Sequence, residues 1–259
     1  MISQLIWALL LHQVAYAAPT AADLSRIVNG TDASINDYPF MVSLRGSTGR
    51  HSCGGSILNE NWILTAAHCV NYYTTPLLQS VQVGRTNVSS EIDESVYWID
   101  DVIIHPFYDS SKSNIFDVAL LKLKKSLVFG DTIKRVQLPK DKYQELDESD
   151  LAVTLIGWGR NATEGVAHTT LQKVNYFVVP NEKCNNLHDN HIYPNLICAG
   201  IPEGGKGQCN GDSGGPLLHK GVQVGIVSWS KKPCTIAPYP GVLTKVSYII
   251  DFINENAYV

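Results

Sequence analysis

The chain has 259 residues and a formal net charge of −4, from 20 Lys and Arg against 24 Asp and Glu, with no basic block. That length supports one or two domains with a substantial apolar core, and the charge balance argues against binding a nucleic-acid backbone. No apolar run approaches the ~20 residues that crossing a bilayer requires, and nothing repeats at a fixed period.

The first apolar run covers residues 5–11 and is followed by Ala15-Tyr16-Ala17, a small-x-small cleavage pattern. This predicts a secretory signal over 1–17, cut after Ala17, even though no Lys or Arg precedes the run. A polar, cysteine-free stretch over 18–26 then leads into Arg26-Ile27-Val28-Asn29-Gly30. From Ile27 onward, short β-type runs alternate with Gly, Asn and Pro. Strands are predicted over 40–45, 51–58, 62–65, 77–83, 96–104 and 118–123, with turns at 46–49 and 59–61. Many short strands at this spacing indicate an all-β sandwich or barrel. Residues 140–150 hold five acids and two lysines with no apolar face, which reads as a solvated linker before a second β-rich half. Near the end, Ile249, Phe252 and Ile253 recur at helical spacing and predict a short C-terminal helix. In a secreted chain, six cysteines read as disulfides whose connectivity spacing leaves open. With no CxxC pair and no zinc-type cluster, a metal reading is weak.

Three stretches carry chemistry. Gly211-Asp212-Ser213-Gly214-Gly215-Pro216 sets a serine on a tight turn, where its hydroxyl is exposed and neighbouring N–H groups can converge. Taken alone this is a Gly/Pro-rich surface turn. Thr65-Ala66-Ala67-His68-Cys69 offers a base, although a lone His beside Cys is usually structural. Asp117, ahead of Val118-Ala119-Leu120, offers an orienting carboxylate, although such an Asp usually caps a strand. A serine hydroxyl needs a base to become nucleophilic, and the base needs an orienting group. The chain order is His68, Asp117, Ser213, which differs from the Ser-Asp-His order of α/β-hydrolases.

With all three in that order, the chain resembles the chymotrypsin/trypsin-like serine endopeptidase family from Ile27 to about Asn256. The resemblance implies an all-β fold of two antiparallel β-barrels, over about 27–139 and 151–245, with the active cleft between them and a C-terminal helix after them. It implies His68, Asp117 and Ser213 as catalytic residues and the N–H groups of Gly211 and Ser213 as the oxyanion hole. Gly211 is expected to stay small so that the substrate can approach. Ser228-Trp229-Ser230 would pair with the substrate backbone as an added strand, with Ser228 also bonding Asp117; Ser230 stands where the family usually has glycine. The resemblance selects the bridges Cys53–Cys69, Cys184–Cys198 and Cys209–Cys234, each stabilising by ~2–4 kcal/mol in the chain-entropy account. It also makes 18–26 an activation propeptide: cleavage after Arg26 would free an Ile27 ammonium to pair with Asp212.

Specificity rests on the position six residues before the nucleophile, the pocket floor in this family. Here it is Gly207, which offers no charge to a substrate Arg or Lys, and Gly241 leaves the opposite wall open. The expectation is cleavage after Phe, Tyr or Leu, with an elastase-like preference for smaller side chains as runner-up because Gln208 is large and Ser230 narrows the entrance. Asn29, Asn87 and Asn161 lie in N-x-S/T sequons and are candidate glycan acceptors. Arg85 stands where a calcium-loop carboxylate would be expected, so Glu91, Asp93 and Glu94 read as a solvated acidic turn, and no metal or cofactor is expected. The expected protein is a secreted monomer whose partners are protein or peptide substrates, an activating trypsin-like protease and protein protease inhibitors, without nucleic acid or membrane. Presence of all three triad residues disfavours an inactive, partner-binding homologue. Residue order and the lack of βαβ alternation disfavour an α/β-hydrolase.

Overall fold

The computed structural model describes residues 27–70, 79–140 and 151–257. The predicted signal, the propeptide with Arg26, and nearly all of the 140–150 linker lie outside the described residues. Six strands form the first barrel: β2 (Met41–Arg45), β3 (His51–Ile57), β4 (Trp62–Thr65), β5 (Ser80–Val83), β6 (Val96–Ile104) and β7 (Ala119–Leu123). They close in the order β2-β3-β4-β7-β6-β5, each pair antiparallel. Closure removes the sheet edges that would otherwise invite pairing with another chain. Every residue of β2 is buried. Met41, Val42 and Leu44 pack there with Ile57, Leu64 and Leu120.

The second barrel uses β8 (Ala152–Gly157), β9 (Gln172–Val179), β10 (Leu196–Gly200), β11 (Pro216–His219), β12 (Val222–Trp229) and β13 (Gly241–Lys245). The antiparallel order β9-β10-β13-β12-β11-β8 closes through a β8–β9 pairing, and the short β1 (Thr31–Asp32) extends the sheet beside β9. In β9, Gln172, Val174, Tyr176 and Val178 are buried while Asn175 and Phe177 are exposed. This period-two pattern belongs to a strand with one wet face. Ile27 is fully buried in this barrel's core with Leu155, Val174, Ile197 and Leu243.

The predicted strands are present, most shortened by a residue or so at their ends. The one predicted over 77–83 is paired at Ser80–Val83. The C-terminal helix is α2 (Ile250–Ala257). It leaves the second barrel but buries Phe252 and Ile253 in the core of the first, and the Asn59 side chain donates to its last carbonyl, Ala257 O, at 2.7 Å. A second helix, α1 (Asn181–Leu187), was not predicted. Its Asn-Glu-Lys-Cys-Asn-Asn-Leu sequence has no apolar stripe, and it is held by Cys184–Cys198 to β10. All three bridges join the pairs that the resemblance selects.

One expectation needs correcting. The acidic turn is not simply solvated: Arg85 reaches Asp93 at 2.6 Å and Glu94 at 3.4 Å. Asp93 also accepts from the Ser95 hydroxyl and N–H, and these bonds, followed by Arg85, hold its carboxyl below the usual range. The buried Arg45 donates to Glu91 O of this loop at 2.8 Å and to Gly49 O of the 46–49 turn at 2.7 Å, joining the two. An internal guanidinium therefore organises this loop.

Candidate active site

β4 ends at Thr65, and a 3₁₀ turn over Ala67–Cys69 places His68 at the barrel interface. The Cys53–Cys69 bridge ties this turn to β3. Asp117, fully buried, accepts from His68 twice: the backbone N–H reaches Oδ1 at 2.8 Å, and Nδ1 lies 2.7 Å from Oδ2. A carboxylate at Nδ1 fixes the tautomer with Nδ1 as donor and leaves Nε2 free to act as a base. Two groups of the second barrel complete the arrangement. The Ser228 hydroxyl donates to Asp117 Oδ2 at 2.5 Å and the Thr244 hydroxyl to Asp117 O at 3.0 Å. The carboxylate thus spans the seam between the barrels.

The Ser213 turn docks on the first barrel through Gly54 N–H, which donates to Ser213 O at 2.7 Å. Gly214 has φ +77°, and a Cβ there would land on Thr65 Oγ1 and 2.6 Å from Gly54 O. Only glycine allows the turn to lie this close to the strand leading to His68. Among the described residues, no hydrogen bond joins Ser213 Oγ to His68 Nε2, a contact that often tightens only with substrate bound. The Gly211 and Ser213 N–H groups likewise have no partner among the described residues and are available as donors. Gly211 has φ +98°, and a Cβ would sit 3.1 Å from the Gly159 α-carbon. Its smallness is therefore demanded by the turn itself.

A residue that sequence reading missed orients this peptide. His51 lies with Nε2 2.9 Å from Gly211 O and Nδ1 2.8 Å from the Ser43 hydroxyl, edge-on to Trp158. Nε2 must donate to the carbonyl, so Nδ1 accepts from Ser43. Burial pushes the imidazole down to about 4, partly countered by the Gly211 bond. Nothing in its local sequence marks His51, because its partner is 160 residues away.

Asp212 is fully buried and accepts from Gly159 N–H and Cys209 N–H, both at 2.9 Å. Burial raises its carboxyl to about 7, against those two bonds and the more distant Lys232 charge. No cation lies within ion-pair distance of it among the described residues. These two groups oppose each other in pH. From pH 4 towards 7 the folded chain keeps a proton on Asp212 that the unfolded chain releases, so stability falls by up to about 4 kcal/mol. From pH 4 to 6.5 the unfolded chain holds a proton on His51 that the folded chain lacks, so stability rises by about 3 kcal/mol. In the uncleaved Ser213→Ala protein the two act in opposite directions. Asp212→Asn should therefore make stability climb more steeply between pH 4.5 and 6.5, read from urea midpoints; an unchanged slope would refute the assignment.

The predicted pocket residues fall into two groups. Gln208, Ser228, Trp229 and Ser230 line a cavity of about 170 Å³ beside Ser213. Gly207 and Gly241 instead line a second space, of about 10 Å³, which Gln208 and Ser230 also border. None of the residues lining the larger cavity is acidic, and Lys232 is among them, its Nζ 2.6 Å from Asn210 Oδ1. The Cys209–Cys234 bridge holds the wall, and Trp229 donates from its indole to Ser113 O at 2.9 Å. Of the sequon asparagines, Asn87 is exposed, Asn161 is half-buried, and the exposed Asn29 donates from Nδ2 to Gly205 O at 2.8 Å.

Two closed antiparallel barrels carrying His, Asp and a glycine-flanked Ser at their seam define the class of chymotrypsin-fold serine hydrolases. Residues 27–253 match the Trypsin family. The chain is 37% identical over 234 residues to a vitellin-degrading protease of Bombyx mori, covering 89% of this chain and 85% of that protein. It is 36% identical to Trypsin II-P29 of Gallus gallus, covering 93% of each chain. It is also 36% identical to Trypsin-1 of Astacus astacus, covering 89% of this chain and all of that one. The chain belongs to the trypsin family and is a serine endopeptidase.

Proposed function

We propose that the protein is a secreted endopeptidase made as a zymogen, which cleaves peptide bonds through an acyl-enzyme formed on Ser213. The observation carrying this reading is the buried Asp117 carboxylate bonded to His68 Nδ1 at 2.7 Å, on the interface where the Ser213 turn docks. Ser213 Oγ attacks the scissile carbonyl as His68 Nε2 takes its proton. The Gly211 and Ser213 N–H groups receive the developing oxyanion, a contribution of roughly 3–4 kcal/mol per donor. His68 then protonates the leaving amine, and water deacylates the serine by the same route. Three disulfides suit an oxidising, extracellular setting. Labelling of the activated protein by a fluorophosphonate tests the nucleophile; absence of labelling would favour a non-catalytic binding role.

The larger cavity has no carboxylate on its wall and one ammonium near it. An Arg or Lys side chain entering it would lose water without an ion pair, at a cost of several kcal/mol. The residue before the scissile bond is therefore apolar: Phe, Tyr or Leu in a chymotrypsin-like preference, or something smaller in an elastase-like one, which the position of Gln208 favours. With matched peptides differing only at that residue, kcat/KM for Arg and Lys should fall below that for Leu and Ala. The reverse order would overturn the neutral-pocket reading.

A further inference from the structure

We propose that the Gln208 side chain is the floor of the primary specificity pocket, setting its depth for side chains no longer than leucine. This rests on the endopeptidase reading above. Gln208 is only 4% exposed and, with Ser230, is one of two residues that border both the cavity beside Ser213 and the small space containing Gly207. Its amide is fixed: Nε2 donates to Trp229 O at 2.8 Å and to Val242 O at 3.4 Å. That orientation turns Oε1 towards Gly241, where it is buried without a partner among the described residues. A Cβ on Gly241 would lie 2.7 Å from both Gln208 Cδ and Oε1. The room left by the missing Gly241 side chain is thus already filled by Gln208.

The consequence is one of depth. The space behind Gln208, about 10 Å³, is near the minimum for a single water and admits no side chain. An aromatic ring reaching towards Gly207 must displace the amide and break its two bonds to backbone carbonyls. Losing such buried hydrogen bonds corresponds to about tenfold or more in transition-state binding. On this proposal leucine, valine and alanine stop short of the amide and incur no such loss. Gly207, although uncharged, is screened from the substrate, so a carboxylate placed there gains little while Gln208 remains. Gly207 also has φ +141°, which adds strain to any substitution.

The test uses activated enzyme, counted by active-site titration, and peptides differing only before the scissile bond. The native enzyme should cleave after Leu, Val or Ala at least about tenfold better in kcat/KM than after Phe or Tyr. Gln208→Ser, which joins the two spaces, should raise Phe and Tyr cleavage by about the same factor. Gln208→Met, of similar length, should keep the native order. Gly207→Asp alone should barely raise Arg cleavage, and the Gly207→Asp, Gln208→Ser double variant should raise it much more. A native preference for Phe or Tyr over Leu would overturn the proposal, as would a Gln208→Met enzyme behaving like Gln208→Ser. If Gln208→Ser fails to fold, the native order and Gln208→Met still decide. A preparation with no titratable serine would instead overturn the endopeptidase reading itself.

Discussion

Ser213→Ala and His68→Ala should each lower kcat by about 10⁶-fold, and the double variant should be scarcely slower than either single one. The reason is that nucleophile and base act as one proton-transfer unit: without the hydroxyl there is no proton for the imidazole to take, and without the imidazole the hydroxyl stays protonated. Asp117→Asn should cost less, about 10⁴-fold, since it leaves both partners but offers an amide where Nδ1 needs an acceptor. That variant also disturbs the Ser228 hydroxyl and the His68 N–H, which share the same carboxylate. Single-turnover rates on a peptide ester and amide, with protein quantified by absorbance, provide the double-mutant cycle. Strictly additive losses in that cycle would exclude a shared step and with it the proposed division of roles.

Blocking cleavage at Arg26 should have the next largest effect. An Arg26→Gln precursor should remain about 10²–10⁴-fold less active than cleaved enzyme after exposure to a trypsin-like protease, matching the ~3–5 kcal/mol typical of a buried charge left unpaired. Asp212 motivates this: its fully buried carboxyl is raised to about 7 and, among the described residues, is bonded only to two N–H groups, so a cation brought beside it would stabilise its charged form. Cleavage would create one at Ile27, whose side chain is already buried in the second core. Asp212 directly precedes Ser213 and follows Gly211, so neutralising it would settle both oxyanion donors. Cleaved Asp212→Asn should accordingly stay poorly active even with Ile27 free. If the uncleaved Arg26→Gln protein hydrolysed peptides as fast as the cleaved native one, the switch would be refuted.

Much of this molecule is legible along the chain because its signals are local. Short β-type runs, their glycine, asparagine and proline punctuation and the three short motifs in the order His68, Asp117, Ser213 were enough to predict two β-rich halves and a candidate triad. The uncharged Gly207 carried meaning only through the family resemblance, which implies a pocket floor six residues before Ser213. Helix α1 was not legible, because a disulfide and not an apolar stripe holds it in place. Nor was the destination of α2, whose apolar face looks the same whichever barrel it covers.

What only the tertiary structure decided involves partners far apart in sequence. His51 reaches Gly211 across 160 residues, a contact that exists because two closed barrels press their turns together, whereas the Ser228–Asp117 bond across 111 residues was expected through the family resemblance alone. The same packing decides the pocket. From the sequence, Gly207 and Gly241 describe an open floor and wall, and Gln208 is merely a large neighbour. In the fold, the carbonyls of Trp229 and Val242 hold the Gln208 amide against Gly241. A residue's composition tells what it can bond, and only its neighbours in space determine which cavity it closes.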